Sequence, residues 1–545
     1  MLRNRIPDRA AAFGKPIYGV NLRESRYDLK PGQAALMQNC VLDGGVRKRP
    51  GTTRLNQVSL GAHPGRGGHR YYRNGGAERL IAYHNRISKL SDAGGETALT
   101  FEQTPDQDTY FRTWSITDSV YITNNIDPIR FYDGVVFTTL VGTNVPTGRM
   151  VTPYLDRLFC IQGDCVVYTD PRDATVWSPV DSAWSAIRPT IGAGGPTALH
   201  AHTATGDMND PSAQLLIFQS GGVSSYMGSV LGDNVLDATA PPDFDAQLIP
   251  VEAAVGNESP HAICSVPGLG TFWFTTQKTV GFLPYGSKNA EVVSDQLFSY
   301  QGDVPGFNHC DTALLRDVSM AYHDRKLKVF FPVAGVTYQY WLDLVSKSRF
   351  PNRGWVWYGP MVGQSVRRVW TEDEAGDSGS LYGLEHVAAN GLYAYNLAVQ
   401  GVTTDTVGAS TRSFTYTWHP YYKDFGAPTY LKHIPVIRVP GSGNMNAASL
   451  TIMDETTRQS TGGLVLKDAD GNAFTTGVKY DTGVKYDTGV KYSLGYTSQQ
   501  GYCYVISQTG DEPEFRRISV VVSNSSGPFV VEDIIPDANV VSRSR

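Results

Sequence analysis

The stretch Asp156-Arg-Leu-Phe-Cys-Ile161, its turn Ile161-Gln-Gly-Asp164 and the answering run Cys165-Val-Val-Tyr-Thr-Asp170 decide how this chain folds. Each apolar run is too short for a helix and is bounded by turn-forming residues, so the pair reads as two strands of a hairpin. The first run returns in altered form along the chain: Arg79-Leu-Ile-Ala-Tyr83, Asp118-Ser-Val-Tyr-Ile-Thr123, Gln214-Leu-Leu-Ile-Phe218, Gly270-Thr-Phe-Trp-Phe274, Arg325-Lys-Leu-Lys-Val-Phe-Phe331 and Ser380-Leu-Tyr-Gly-Leu384. Copies begin roughly 40 to 60 residues apart, the spacing of a repeat that is one four-stranded blade with variable loops. The expected fold is all-β: a β-propeller of six to eight blades over residues 55–408, followed by a C-terminal β-sandwich over residues 409–545.

Composition agrees with strands and tight turns. Among 545 residues the chain carries 30 Tyr, 21 Phe and 9 Trp beside 56 Gly and 31 Pro, and it has no long helical heptads. That length exceeds a single compact core, so more than one unit is expected. The formal charge is only −5, and no basic block is larger than Arg47-Lys48-Arg49. Clustered lysines and arginines that would grip a phosphate backbone are therefore not visible, although a wall that merely surrounds a nucleic-acid path needs no such grip. The start, Met1-Leu-Arg-Asn-Arg-Ile-Pro-Asp-Arg9, lacks the apolar centre of a signal peptide, and no run is long enough to span a bilayer. The most helix-like stretch is Arg9 to Phe13.

Residues 1–54 form a lead-in. Within it Asp43-Gly44-Gly45 is read as the turn of a hairpin between Cys40-Val-Leu and Val46-Arg-Lys, since Asp-Gly reaches positive φ at little cost. The motif Arg47-Lys48-Arg49-Pro50-Gly51 then turns the chain into the repeats, and the hairpin is a candidate to complete the last blade and remove its open edge. In the C-terminal part, alternating runs such as Ser413-Phe-Thr-Tyr-Thr-Trp418 and Ile518-Ser-Val-Val-Val-Ser523 suggest the sandwich. Inside it the hexapeptide Thr-Gly-Val-Lys-Tyr-Asp occurs three times over residues 476–493, with Ser493 closing the third copy. Its even period places Lys479, Lys485 and Lys491 on one face of an extended strand, and Tyr480, Tyr486 and Tyr492 on the other. The repeat is either a tolerated duplication or an arm for contact with a partner chain.

Residue patterns that could carry chemistry are sparse and weak. Asp170, Asp173 and Asp181 read as turn residues, and Glu372, Asp373, Glu374 and Asp377 as a solvated charge run, rather than as the paired acids of a glycosidase. His200 and His202 share one strand face, with Asp207 and Asp210 nearby, but lack a positioned third ligand. Trp341, Trp355 and Trp357 read as blade packing more than as a sugar or base platform. Cys160 and Cys165 flank one turn and are read as reduced thiols, with a cross-hairpin disulfide as the alternative. No nucleophile elbow, phosphate loop or dinucleotide fingerprint occurs, so no catalytic residue, cofactor or metal is assigned.

Gly19-Val-Asn-Leu-Arg-Glu-Ser25, Leu29-Lys-Pro-Gly-Gln33, Asn39 and Asp43-Gly-Gly-Val-Arg-Lys-Arg-Pro-Gly51 together resemble the start of the tail nozzle proteins of short-tailed bacteriophages, also called tail tubular protein B or tail hub. Arg130-Phe-Tyr-Asp-Gly134, Tyr168-Thr-Asp-Pro171 with Trp177, and the block Gly270 to Gly281 extend the likeness over most of residues 19–400. The resemblance implies a propeller with added β domains in a homohexameric ring beneath the adaptor ring of the head-to-tail connector. It implies a lumen, expected to be acidic and weakly adhesive, that conducts viral DNA without sequence specificity. It further implies attached fibres, spikes or a plug, a place in the virion tail after assembly in the host cytoplasm, and no catalytic residues. Two rival readings are a glycan-binding adhesin or depolymerase of the virion and a cellular propeller acting as an interaction hub.

Overall fold

The computed structural model describes residues 9–543 apart from 11, 74–75, 180–185, 190–193, 204–212, 229–246, 301, 346–353, 373–379, 386–390, 424–429, 455–459, 468–498, 505–513, 516, 526 and 528. Seven four-stranded antiparallel sheets follow one another among the described residues, at 65–102, 110–139, 151–177, 196–250, 263–292, 319–361 and 366–399. The first six are each continuous in sequence. The seventh takes its fourth strand, Gly51–Arg54, from the N-terminal end, paired antiparallel to Ala394–Val399. The chain is thus a seven-bladed β-propeller whose ring is closed by its own lead-in. Closure pairs an edge that would otherwise stay open.

All seven recurring phrases occupy the second strand of a blade. A second strand is hydrogen-bonded on both sides and covered on both faces, so it reads as a continuous apolar run instead of an alternating one. Ser119–Thr123 and Gly270–Phe274 are buried at every position. First strands of neighbouring blades contact one another and so surround the axis. Large aromatics fill the blades: Trp114, Trp177, Trp273 and Trp357 are fully buried. The indole of Trp273 donates to the Val255 carbonyl at 2.7 Å, and that of Trp357 to the Val293 carbonyl at 2.8 Å, which removes the penalty of burying each N–H.

The C-terminal part is a β-sandwich, and the lead-in is woven into both of its sheets rather than standing apart. One sheet runs Arg9–Ala10, Ile535–Arg543, Tyr430–Gly443, Phe529–Val531, Gly45–Lys48 and Cys40–Asp43, with Gln499–Tyr504 and Glu514–Phe515 also on Tyr430–Gly443. The other runs Ala34–Gln38, Tyr416–Pro420, Ile518–Asn524, Ala448–Asp454 and Ser460–Val465. The Asp43-Gly44-Gly45 hairpin forms, with Gly44 at φ 71°. It completes this sandwich sheet; the last blade is completed by the strand that follows it. Arg9 and Ala10, which begin the stretch Arg9 to Phe13 read as most helix-like, instead pair with Ala538 and Asp537 as a strand. Two residues of local propensity yield to a sheet edge that needs partners.

The sandwich is not energetically separate from the propeller. One apolar core runs from Phe272 of blade 5 and Leu342 and Trp357 of blade 6, through Val20 and Met37, to Trp418, Leu450 and Val522 of the sandwich. Gly19 makes this approach possible. It sits at φ 69°, and a Cβ there would lie 2.3 Å from the Trp357 carbonyl oxygen, to which the adjacent Val20 N–H donates across blade 6. The sheet contacts therefore explain why a glycine opens the Gly19-Val-Asn-Leu motif.

Candidate functional site

Arg49 lies where the lead-in leaves the sandwich and enters blade 7, and its side chain has no exposed surface. Its planar fork is saturated. Nε donates to Asn39 Oδ1 at 3.1 Å, Nη1 to Asp405 Oδ1 at 2.9 Å and to the Pro50 carbonyl at 3.0 Å, and Nη2 to the Val362 carbonyl at 3.0 Å and to Asp405 Oδ2. The guanidinium also lies 4.0 Å from the centre of the Phe414 ring. A buried charge is tolerated only when each of its donors is matched, and here all five are. Asn39, at φ 55°, is the second anchor of the clasp: Oδ1 also accepts from Val362 N at 2.8 Å while Nδ2 donates to the Thr415 carbonyl at 3.0 Å.

The other residues of the motif divide by position. Lys48 is buried with its ammonium 4.3 Å from the Phe414 ring centre, and burial, aided by Arg49, lowers its pKa to about 8. Arg47 points outward and pairs with Asp43. A Cβ on Gly51 would meet the Thr404 carbonyl oxygen at 2.1 Å, so glycine is what lets the closing strand pass. Thus Arg47-Lys48-Arg49-Pro50-Gly51 acts chiefly inward, as a clasp that binds lead-in, blade 7 and sandwich. The candidate arm residues Lys479, Tyr480, Lys485, Tyr486, Lys491 and Tyr492 lie outside the described residues, as do Asp181, Asp207, Asp210, Asp373, Glu374 and Asp377.

A second polar assembly, which the sequence reading missed, lies among the first strands that surround the propeller axis. Arg368 Nη2 lies 2.8 Å from Asp108 Oδ1, and Arg367 Nη2 lies 2.6 Å from Asp317 Oδ1 and 3.2 Å from Asp108 Oδ1. Asp108 precedes blade 2, Asp317 precedes blade 6, and the arginines open blade 7, so the pairs tie together blades 2, 6 and 7. Burial works to raise the Asp108 pKa, but Arg368 and Arg367 hold it well below the usual carboxylate range. His261 stacks on Tyr110 with ring centres 4.7 Å apart, and burial keeps its imidazole neutral. Deeper in, Arg112 donates to the Phe111 carbonyl at 3.1 Å; no carboxylate pairs with it among the described residues, and burial lowers its pKa to about 10. The one legible signal was Arg367-Arg368 inside an otherwise apolar strand, Val366 to Trp370.

The remaining sequence candidates have structural partners. His200 and His202 both reach blade 5 from one face of their strand, yet separately: His200 Nε2 meets Ser265 Oγ at 2.7 Å and His202 Nδ1 meets Thr271 Oγ1 at 2.8 Å. Asp173 Oδ1 accepts from Thr175 N at 2.8 Å, which is turn chemistry. Glu372, expected in a solvated charge run, is instead buried and held by Arg79, with Nη2 to Oε2 at 2.9 Å, which joins blades 1 and 7. Trp355 packs edge-on against Phe272 and Phe282, Trp357 against Phe307, and Trp341 takes the Lys328 ammonium at 4.2 Å from its ring centre. Cys160 and Cys165 are buried free thiols; the register sets Cys160 opposite Val167 and Cys165 opposite Gln162, so the hairpin does not align them for a bridge. Among the described residues no helix is long and apolar enough to cross a membrane.

No protein-family model matches the chain, and no curated protein matches it. Solved structures similar to it include BBS1N in complex with ARL6DN, at 10% identity over 66% of this chain and 99% of that one, with a TM-score of 0.36. The N-terminal domain of Nup159 matches at 9% identity over 67% of this chain and 100% of its own, and YCF48 bound to a peptide at 11% over 65% and 100%, each with a TM-score of 0.36.

Proposed function

We propose that this chain is a structural subunit of a short bacteriophage tail, a nozzle or hub protein that assembles as a homohexameric ring under the connector's adaptor ring and surrounds the DNA path. The observation that carries this reading is the stitching of the chain by residues 9–54, whose strands enter both sandwich sheets and close the propeller. A wall element that must keep its shape while DNA passes benefits from domains that cannot hinge, and a shared core with a buried clasp supports that rigidity. The resemblance of the Arg47 to Gly51 motif to the nozzle family supplies the functional assignment. Because buried arginines, carboxylates and rings crowd the first strands around the propeller axis, the DNA path in this reading lies between subunits and not through a propeller.

In this role the chain is non-enzymatic and needs no cofactor. Its partners are further copies of itself, the adaptor ring, and the fibres, spikes or plug of the tail, with viral DNA passing transiently. It belongs to the virion tail and is assembled in the host cytoplasm. Of the acids considered for the rival depolymerase reading, Glu372 is held by Arg79 and Asp173 by its own turn.

Negative-stain imaging of the purified chain mixed with its adaptor protein, together with labelled native particles, tests the proposal. Six-fold rings at the tail tip are expected. Polysaccharide cleavage by the isolated chain, or its localisation away from the tail axis, overturns it.

A further inference from the structure

Three loops on one face of the propeller converge beside blade 1. His63 precedes the first strand of that blade, His84 sits in the turn between its second and third strands, and Asp106 lies between blades 1 and 2. His63 Nδ1 and His84 Nδ1 are each 3.7 Å from Asp106 Oδ1. The two imidazoles stack with centres 3.7 Å apart and planes 17° apart, and one ligand atom from each residue lies within 4.8 Å of the others. The backbone holds the set together, since Asp106 N donates to the His84 carbonyl at 3.1 Å.

His84 Nδ1 is buried and makes no hydrogen bond. With no hydrogen bond engaging it, this nitrogen keeps its lone pair available as a metal ligand beside a carboxylate oxygen and a second imidazole. We propose that His63, His84 and Asp106 bind one divalent transition-metal ion of borderline softness, such as Zn2+. The site is independent of the tail assignment. Two imidazoles and one carboxylate suit zinc, cobalt or nickel, whereas calcium and magnesium require oxygen donors. Ligand bonds of about 2.0–2.2 Å in tetrahedral geometry place donor atoms roughly 3.3–3.6 Å apart, close to the 3.7 Å from each imidazole to Asp106. Because the stacked rings direct their lone pairs nearly parallel, ion binding requires the half-exposed His63 ring to turn out of the stack. Side chains about one third to one half exposed leave the remaining positions open to water or to a donor from another chain.

Arg66 opposes the ion. Its Nη2 donates to Asp106 Oδ1 at 3.2 Å, while Nη1 lies 3.8 Å from Asp108 Oδ1, which gives it an alternative partner when a metal takes Asp106. That conflict supplies a discriminating variant. Untagged full-length chain, stripped with chelator, is titrated with Zn2+ by calorimetry and with Co2+ by visible absorption. One equivalent is expected to bind, with d–d bands typical of a four- or five-coordinate site. His84→Ala and Asp106→Asn are expected to weaken binding at least tenfold, and Arg66→Gln to tighten it several-fold. His63→Ala, in a half-exposed loop, checks the assignment should the His84 variant fold poorly. Absence of binding by the wild-type chain at about 100 μM metal, where a site of even about 1 μM Kd would be nearly full, overturns the proposal. So does affinity unchanged in both His63→Ala and Asp106→Asn.

Discussion

Arg49 and Asp405 stand 356 residues apart in the chain, yet their side chains form a two-pronged ion pair with essentially no exposed surface. The pair lies at the junction of the lead-in, blade 7 and the sandwich. Its place shows why the fold cannot be divided at residue 54: the segment before the first blade supplies the charge that the segment after the last blade neutralises.

Removing either partner leaves a buried charge unmatched. Asp405→Asn and Arg49→Met are each expected to destabilise the chain by about 3–5 kcal/mol. Arg49→Lys is expected to recover less than half of that, because an ammonium cannot bridge Asn39, Val362 and both Asp405 oxygens at once. Urea unfolding of the three variants is the measurement. Wild-type stability in the lysine variant would show that charge alone, and not the fork, makes the clasp.

Gly51→Ala tests closure. The added methyl meets a backbone oxygen at 2.1 Å, a contact that only movement of the Gly51–Arg54 strand or the 404–407 strand relieves. A loss of about 2 kcal/mol or more is expected, with faster hydrogen exchange at Ala394–Val399, the strand that Gly51–Arg54 covers. Exchange confined to the sandwich would contradict the assignment.

Buried histidines make the protein acid-sensitive. Burial pushes His202 and His419 down to about 4, and burial together with Arg112 pushes His69 and His200 down to about 3. In the unfolded chain an imidazole takes up its proton near pH 6.5, while in the folded chain it does so only at 3 to 4. The unfolded state therefore binds more protons across this window, and stability falls as pH drops from about 6.5 to about 4. Glu385, raised to about 7 by burial, runs the other way but is a single group. Denaturation midpoints measured from pH 7 to pH 4 should fall, and His202→Gln should flatten the slope by roughly 2 kcal/mol.

On the alkaline side the lysines dominate. Burial, followed by Lys326, lowers Lys328 to about 7, and Lys48 stands at about 8. Between these values and about 10.5, the unfolded chain holds protons that the folded chain has released, so stability rises with pH from about 7 to about 10. Tyr83 and Tyr154, pushed up to about 12 chiefly by burial, reverse the trend above pH 10. Lys328→Met should remove part of the rise. A profile unchanged by that variant would mean Lys328 stays solvated in the folded protein.

How far the fold was legible follows from where each signal resides. The second strands of the blades were readable because burial on both faces writes itself into consecutive residues, as in Ser119–Thr123 and Gly270–Phe274. The outer strands were harder to see: Glu291–Val292 is two exposed residues, and no periodicity survives at that length. The closing strand Gly51–Arg54 was nearly invisible, since Gly-Thr-Thr-Arg has no apolar run and takes its identity from the edge it covers. His63, His84 and Asp106 escaped for another reason. They share no spacing along the chain, and only the loops of one blade bring them together.

By itself the sequence determined the all-β class, the propeller repeat and the turn at Asp43-Gly44-Gly45, because these depend on local burial patterns and on backbone conformations that a few residues dictate. Tertiary structure alone decided the blade number, the threading of the lead-in through sandwich and propeller, and the partners of Arg49, Arg367 and Arg368. The physical reason is that a charge can be buried only where a counter-charge arrives. For Arg49 and Arg368 those counter-charges lie at Asp405 and Asp108, more than two hundred residues away in the chain, so ring closure and not local pattern selects them.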